Sequence, residues 1–179
     1  MKDQQQIQRK AEIITDLQLA FRELHRTIEP VSDPVYRQRS GATWSPAEHL
    51  EHLILSTVPI VGALGKDRDW FGQFGPPAHA EKTYAELKAY YRTVLATGLK
   101  APLRFVPEET KVFDKDQQLA DWQRLEKGLI RKLELWTEEE LDTCTLPHPA
   151  LGNLTMRQML QFTTIHTYHH MHGMERSIQ

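Results

Sequence analysis

Cysteine is nearly absent from the sequence, because Cys144 is the only one among 179 residues. A single cysteine cannot form a disulfide within the chain, so a reducing cytoplasm is the natural setting for this protein. Cys144 has no neighbouring cysteine, and we expect an ordinary buried or half-exposed thiol rather than a nucleophile. This scarcity excludes a fold that depends on internal disulfides.

Long apolar segments and a strong net charge are also lacking. No apolar run approaches the ~20 residues needed to span a bilayer, and the polar residues 1–6 contain no signal-peptide core. The formal net charge is −2, which gives no electrostatic basis for binding nucleic acid. We therefore expect a cytoplasmic protein that acts on a small molecule, with neither membrane nor nucleic acid as a partner.

The sequence does contain a repeated helical pattern, in which apolar residues recur at spacings of three and four. This pattern predicts an all-α protein, and the length suits a single domain over residues 1–179. We predict irregular or extended chain at 30–41, 66–82, 100–114 and 143–153. The predicted helices span residues 5–27, 46–64, 84–97, 116–136 and 155–179, with a short helical turn at 137–140.

Three capping boxes, in which Ser or Thr is followed three residues later by Glu or Gln, predict where helices begin. The pairs are Ser45 with Glu48, Thr83 with Glu86, and Thr155 with Gln158. Pro46 suits the first position of the second long helix. Pro59 lies inside the same helix, and we expect it to kink the helix or end it early.

Histidines are concentrated in the last predicted helix, where residues 162–173 carry four of the nine in the chain. His166 and His170 lie one turn apart on the apolar stripe that also includes Met159 and Phe162. Two imidazoles at this spacing on an inward face can bind a transition metal. The alternative is that they are core histidines satisfied by hydrogen bonds, without a metal.

A third ligand is expected from the second long helix, which carries His49 and His52. Spacing alone does not decide between these two histidines. His52 shares its side of the helix with small residues that leave room for a pocket: Ser56, Pro59 and Ala63. Three neutral imidazoles would leave an open position on a zinc-like or nickel-like ion, which is the catalytic arrangement. Such an ion lowers the pKa of a bound water or thiol.

The sequence resembles the DinB/YfiT-like metal-binding four-helix bundles. The resemblance rests on residues 44–53 (WSPAEHLEHL), 154–160 (LTMRQML) and 166–170 (HTYHH). It implies that the metal ligands are His52, His166 and His170. It also implies a four-helix bundle with a long crossover between the second and third long helices, plus an extra short helix.

Characterised members of that family include transferases and isomerases that use low-molecular-weight thiols such as bacillithiol or mycothiol. The resemblance therefore implies a divalent metal and a thiol-dependent transferase, and the imidazole ligands favour zinc or nickel as that metal. A metal-dependent hydrolase and a non-catalytic metal-binding or interaction module are the alternatives. The weaker candidates for moving a proton are Glu48, Tyr168 and His169. We favour structural roles for these residues: helix capping for Glu48, packing for Tyr168 and a position at the rim of the site for His169. A homodimer is also plausible.

Overall fold

The computed structural model describes residues 7–41, 43–108 and 111–178. Within these ranges the chain forms seven α-helices, two 3-10 helices and one two-stranded sheet. The α-helices are α1 (Lys10–Ile28), α2 (Asp33–Arg37), α3 (Pro46–Ala63), α4 (Tyr84–Ala96), α5 (Lys115–Glu134), α6 (Glu138–Thr143) and α7 (Met156–Ile178). The 3-10 helices span Arg68–Phe74 and Leu103–Phe105, and the strands are β1 (Thr145–His148) and β2 (Gly152–Thr155).

The four long helices α1, α3, α5 and α7 form a bundle, which confirms the predicted fold class. Helices α1 and α3 each pack against both α5 and α7, so α1 and α3 lie at opposite corners. The chain between α3 and α5 is the predicted long crossover, and it carries both 3-10 helices and α4. Helix α4 packs on the outer side of α7. No described helix is long and apolar enough to span a membrane, and the homodimer stays a prediction.

Two of the predicted helix starts have the full capping geometry. The Ser45 hydroxyl accepts from the Glu48 backbone N–H, while the Glu48 carboxylate accepts from the Ser45 N–H at 2.8 Å. The same reciprocal pair forms between Thr83 and Glu86. At each helix start, the pair of bonds satisfies backbone N–H donors that would otherwise be unpaired.

The third capping box forms only in part. The Thr155 hydroxyl accepts from the Gln158 backbone N–H at 3.2 Å. The Gln158 side chain does not return the bond, and its amide atoms are buried without a partner among the described residues. Thr155 is also the last residue of β2, where it pairs with Thr145, so its backbone belongs to the sheet rather than to a free helix start.

The segment 143–153, which the sequence predicted as a loop, instead contains most of an antiparallel hairpin. Strands β1 and β2 pair Thr145 with Thr155 and His148 with Gly152. Each strand has four residues, which is too short for a clear alternating pattern. Gly152 closes the turn with φ of 75°, in a region that favours glycine.

One further expectation about local structure was wrong. The predicted loop at 30–41 contains α2, which is one short helix more than expected and is anchored by the fully buried Tyr36. The Tyr36 hydroxyl donates to Gln118 Oε1 at 2.6 Å, a contact with α5 that local sequence does not encode. Helix α3 continues past Pro59 to Ala63, in agreement with the predicted helix over 46–64. Pro59 is exposed, so water can hydrate the carbonyl that its missing N–H leaves free.

Candidate metal centre

The three histidines implied by the family resemblance come together between two neighbouring helices. Helix α3 supplies His52, and α7 supplies His166 and His170 one turn apart. Every residue of α7 from 156 to 167 is buried, because α1, α3 and α4 all pack around this helix. The histidines therefore lie in the interior, with only 5%, 8% and 7% of their surfaces exposed.

The Nε2 atoms of the three rings converge on one point. His52 Nε2 lies 3.1 Å from His166 Nε2, and His170 Nε2 lies 3.0 Å from His166 Nε2. One ligand atom from each of the three residues lies within 4.8 Å of the others. Tetrahedral ligands at ~2.0–2.1 Å from an ion are separated by roughly 3.3 Å. The spacing of the nitrogens therefore suits a single transition-metal ion.

The ring of His52 is oriented by the backbone of the long crossover. His52 Nδ1 lies 2.7 Å from the carbonyl oxygen of Phe105, which can only accept a hydrogen bond. The His52 proton is therefore on Nδ1, and Nε2 carries a lone pair that faces the other two rings. Metal-binding histidines usually have such an outer partner, which fixes the tautomer.

His49, the residue that spacing could not separate from His52, lies behind His170. Its Nδ1 is 2.8 Å from Nδ1 of His170, and its Nε2 is buried without a partner among the described residues. If His170 directs an Nε2 lone pair at the centre, its Nδ1–H donates to His49. The structure therefore gives His49 the geometry of an outer partner of His170.

Burial keeps these histidines uncharged. Desolvation lowers the pKa of His52, and the hydrogen bond to Phe105 opposes this effect only in part. Desolvation, followed by the neighbouring imidazoles, places the pKa values of His166 and His170 well below the usual value. The neutral form is the one that binds a metal, so the free protein holds the ligands ready without deprotonation.

A cavity of about 680 Å³ opens onto the three histidines. Its walls are mainly apolar, and six aromatic side chains line it: Trp44, Trp70, Phe74, Tyr91, Phe105 and Phe162. The small residues predicted beside His52, namely Ser56, Pro59 and Ala63, also line it. In the segment 66–82, Trp70 and Phe74 line the cavity. Phe71 packs instead on Trp136, with ring centroids 5.4 Å apart, and attaches the segment to the bundle.

The three weaker candidates for moving a proton differ in whether they line this cavity. The Glu48 carboxylate accepts from the Arg39 guanidinium as well as from Ser45, and these bonds keep its pKa low despite burial. Tyr168 is half-buried beside Glu23. Neither lines the cavity, whereas His169 does, from an exposed position at its rim.

Cys144 and His148 lie outside the predicted set of metal ligands, and only His148 lines the cavity. Cys144 is buried, and desolvation raises the pKa of its thiol, as expected for an unreactive cysteine. His148, for which the sequence suggested no role, lines the cavity from the β1–β2 hairpin. Local sequence offers little signal for His148, because its position depends on a hairpin that was not predicted.

Fold and site together define a helical bundle with a candidate metal centre of three histidines. The sequence profile of the DinB superfamily matches residues 16–174, so the chain belongs to the DinB superfamily. The family indicated by the sequence motifs is therefore confirmed. No curated protein shows a significant match to the chain.

The chain is also similar to a solved structure from Bacillus subtilis. That protein, YfiT, is described as a probable metal-dependent hydrolase with an unusual four-helix bundle topology. The two chains are 17% identical, with a TM-score of 0.63 over 99% of this chain and 91% of that chain. At this identity the likeness establishes the shared fold.

The close contact between α7 and the His49 ring yields a stability prediction. A Cβ added at Gly173 would lie 2.8 Å from Cε1 of His49, whereas one added at Gly62 on α3 meets no atom within 4 Å. We expect Gly173→Ala to lower the free energy of unfolding by about 1 kcal/mol, because overpacking outweighs the better helix propensity. The control, Gly62→Ala, should raise it by up to about 1 kcal/mol. Urea denaturation of both variants measures this difference, and equal stabilisation would contradict the packing described for His49.

Two histidines with lowered pKa values also predict a pH dependence of the metal-free protein. Burial lowers the pKa of His49 and of His148 from 6.5 to about 4. Between these values the unfolded chain binds more protons than the folded chain, so stability must fall as the pH falls from 7 to 4. Urea denaturation at pH 7.5 and pH 5 should show this loss, and His148→Asn should make it smaller. A free energy of unfolding that is unchanged or rises at pH 5 would contradict the prediction.

Proposed function

We propose that this protein is a divalent-metal-dependent enzyme that activates a small nucleophile for attack on an apolar small molecule. His52, His166 and His170 would hold the ion through their Nε2 atoms. The observation that carries the proposal is the convergence of these three buried, neutral nitrogens at an open cavity. Imidazole ligands suit zinc and nickel among the common divalent ions.

The surroundings of the three nitrogens favour a catalytic over a structural ion. A structural site needs a fourth protein ligand, for which His49 and His169 are the nearest histidines. His49 Nδ1 is engaged with the far side of His170, and His169 lies exposed at the rim. A fourth coordination position facing the cavity would therefore be open to a substrate or nucleophile.

A bound divalent ion would lower the pKa of a thiol or water beside it. We take a low-molecular-weight thiol as the first candidate nucleophile and a transferase as the reaction class. The cavity volume of about 680 Å³ lies within the ~300–1,000 Å³ typical of small-molecule sites. Water is the second candidate, because YfiT is described as a probable metal-dependent hydrolase.

The protein's own groups would orient the reactants and limit the access of water. The aromatic walls would bury the apolar substrate, and the Phe105 carbonyl would keep His52 in one tautomer. His169 has its ring centroid 5.0 Å from that of His170 and is the candidate acceptor for a proton from the nucleophile. Glu48 is less suited to that task because Arg39 and Ser45 already occupy its carboxylate.

Metal binding by single-ligand variants tests the proposed centre. Wild-type protein without a histidine tag should bind one zinc or nickel ion, as measured by elemental analysis and calorimetric titration. His52→Ala, His166→Ala and His170→Ala should each weaken binding by more than about 100-fold, because each removes a direct ligand. His25→Ala is the control, since its ring contacts Gln123 on the bundle surface. Wild-type affinity in the three ligand variants would refute the centre.

The nucleophile is tested with the metal-loaded enzyme, a panel of small thiols and an electrophilic apolar substrate. The transferase predicts that turnover depends on the thiol and that the product contains its sulfur, as mass spectrometry would show. Turnover at the same rate without any thiol, with water incorporated into the product, would reject the transferase in favour of the hydrolase.

A further inference from the structure

His148 occupies a fixed position in the wall of the cavity. It is the last residue of β1, and its Nδ1 accepts the backbone N–H groups of Ala150 and Leu151, each at 3.1 Å. A ring nitrogen that accepts two N–H donors must carry a lone pair, so a neutral ring has its proton on Nε2. The turn of the hairpin therefore sets the tautomer of His148.

The Nε2–H of His148 is left available to a ligand. Among the described residues none accepts a hydrogen bond from it, and the ring lines the cavity. The ring lies edge-on to Phe162 with centroids 4.3 Å apart, and Phe162 stacks on His166 at 5.1 Å. One aromatic ring thus separates His148 from the candidate metal centre.

The protonation state of His148 makes it a hydrogen-bond donor and not a general base. Burial lowers its pKa to about 4, so the ring is neutral at pH 7. Its Nδ1 lone pair is already engaged by the turn, and Nε2 carries the proton. A neutral imidazole of this kind can stabilise negative charge on an oxygen without transferring its proton.

The charges around the cavity favour an anionic or polarised oxygen as the partner. Within the described part of the chain, the cavity is lined by the cations Lys100 and Arg104 and by no carboxylate side chain. The remaining wall is mainly apolar and aromatic. A ligand that matches this wall has an apolar body and a carboxylate or carbonyl oxygen.

We propose that His148 contacts the substrate, and that its Nε2–H donates a hydrogen bond to a carboxylate or carbonyl oxygen of a mainly apolar molecule. As a catalytic role this rests on the proposed function, because the same bond would stabilise charge that develops on that oxygen. As a binding role it needs no metal. The two claims can therefore be tested separately.

The binding test uses phenylbutyrate as the probe and the full-length, metal-free protein, so that no ion can attract the carboxylate. Trp44 and Trp70 line the cavity, and their fluorescence reports binding alongside calorimetry. His148→Asn is the informative variant, because its side-chain oxygen can still accept from the turn while nothing replaces Nε2–H. The matched control is His79→Asn, at an exposed histidine outside the cavity.

We expect His148→Asn to bind phenylbutyrate about tenfold more weakly or worse, as is typical when a hydrogen bond to a charged group is lost. His79→Asn should bind it like wild type. Phenylbutylamine, which has an ammonium in place of the acceptor, should bind wild type more weakly than phenylbutyrate does, and His148→Asn should not change its affinity. Nitrogen NMR of the wild-type imidazole should show the Nε2–H tautomer.

Three results would each overturn the proposal. They are an absence of saturable phenylbutyrate binding to wild type, affinity within twofold of wild type in His148→Asn, and an Nδ1–H tautomer for His148. None of these bears on metal binding by His52, His166 and His170. Conversely, the protein could bind phenylbutyrate through His148 and bind no metal. That result would refute only the proposed metal-dependent enzyme.

Discussion

Three imidazole nitrogens meet inside the helix bundle, and the geometry of the site rests on this approach. Neutral imidazole nitrogens that face one another without a proton between them form no hydrogen bond. Burying such unpaired polar atoms costs free energy. A cation at their centre would offset that cost. The outer edges of two rings are already engaged, His52 by the Phe105 carbonyl and His170 by His49, so the rings are held in place for an ion.

The topology assigns different tasks to different parts of the chain. Helix α7 packs against α1, α3 and α4, and its residues 156–167 are all buried. Together with α3, it forms the floor of the cavity. The long crossover between α3 and α5 supplies the aromatic wall and the carbonyl that orients His52. The β1–β2 hairpin adds His148. Floor, wall and hairpin thus meet although they are distant in sequence.

The sequence predicted the parts of this arrangement that local periodicity encodes. His166 and His170 followed from their spacing on an apolar stripe, and the start of α3 followed from Ser45 and Glu48. His49 and His52 could not be separated by spacing, because both face inward and only their partners differ. The Phe105 carbonyl, the hairpin and the fixed tautomer of His148 were not predictable, since each depends on contacts between distant segments or on strands too short to show a pattern.

X-ray absorption spectroscopy of the zinc- or nickel-loaded protein would identify the atoms bound to the ion. Coordination by His52, His166 and His170 should give three imidazole nitrogens at ~2.0–2.1 Å and one further light atom that an added thiol replaces with sulfur. An ion surrounded mainly by oxygen, or one without the multiple scattering typical of imidazole, would contradict this coordination.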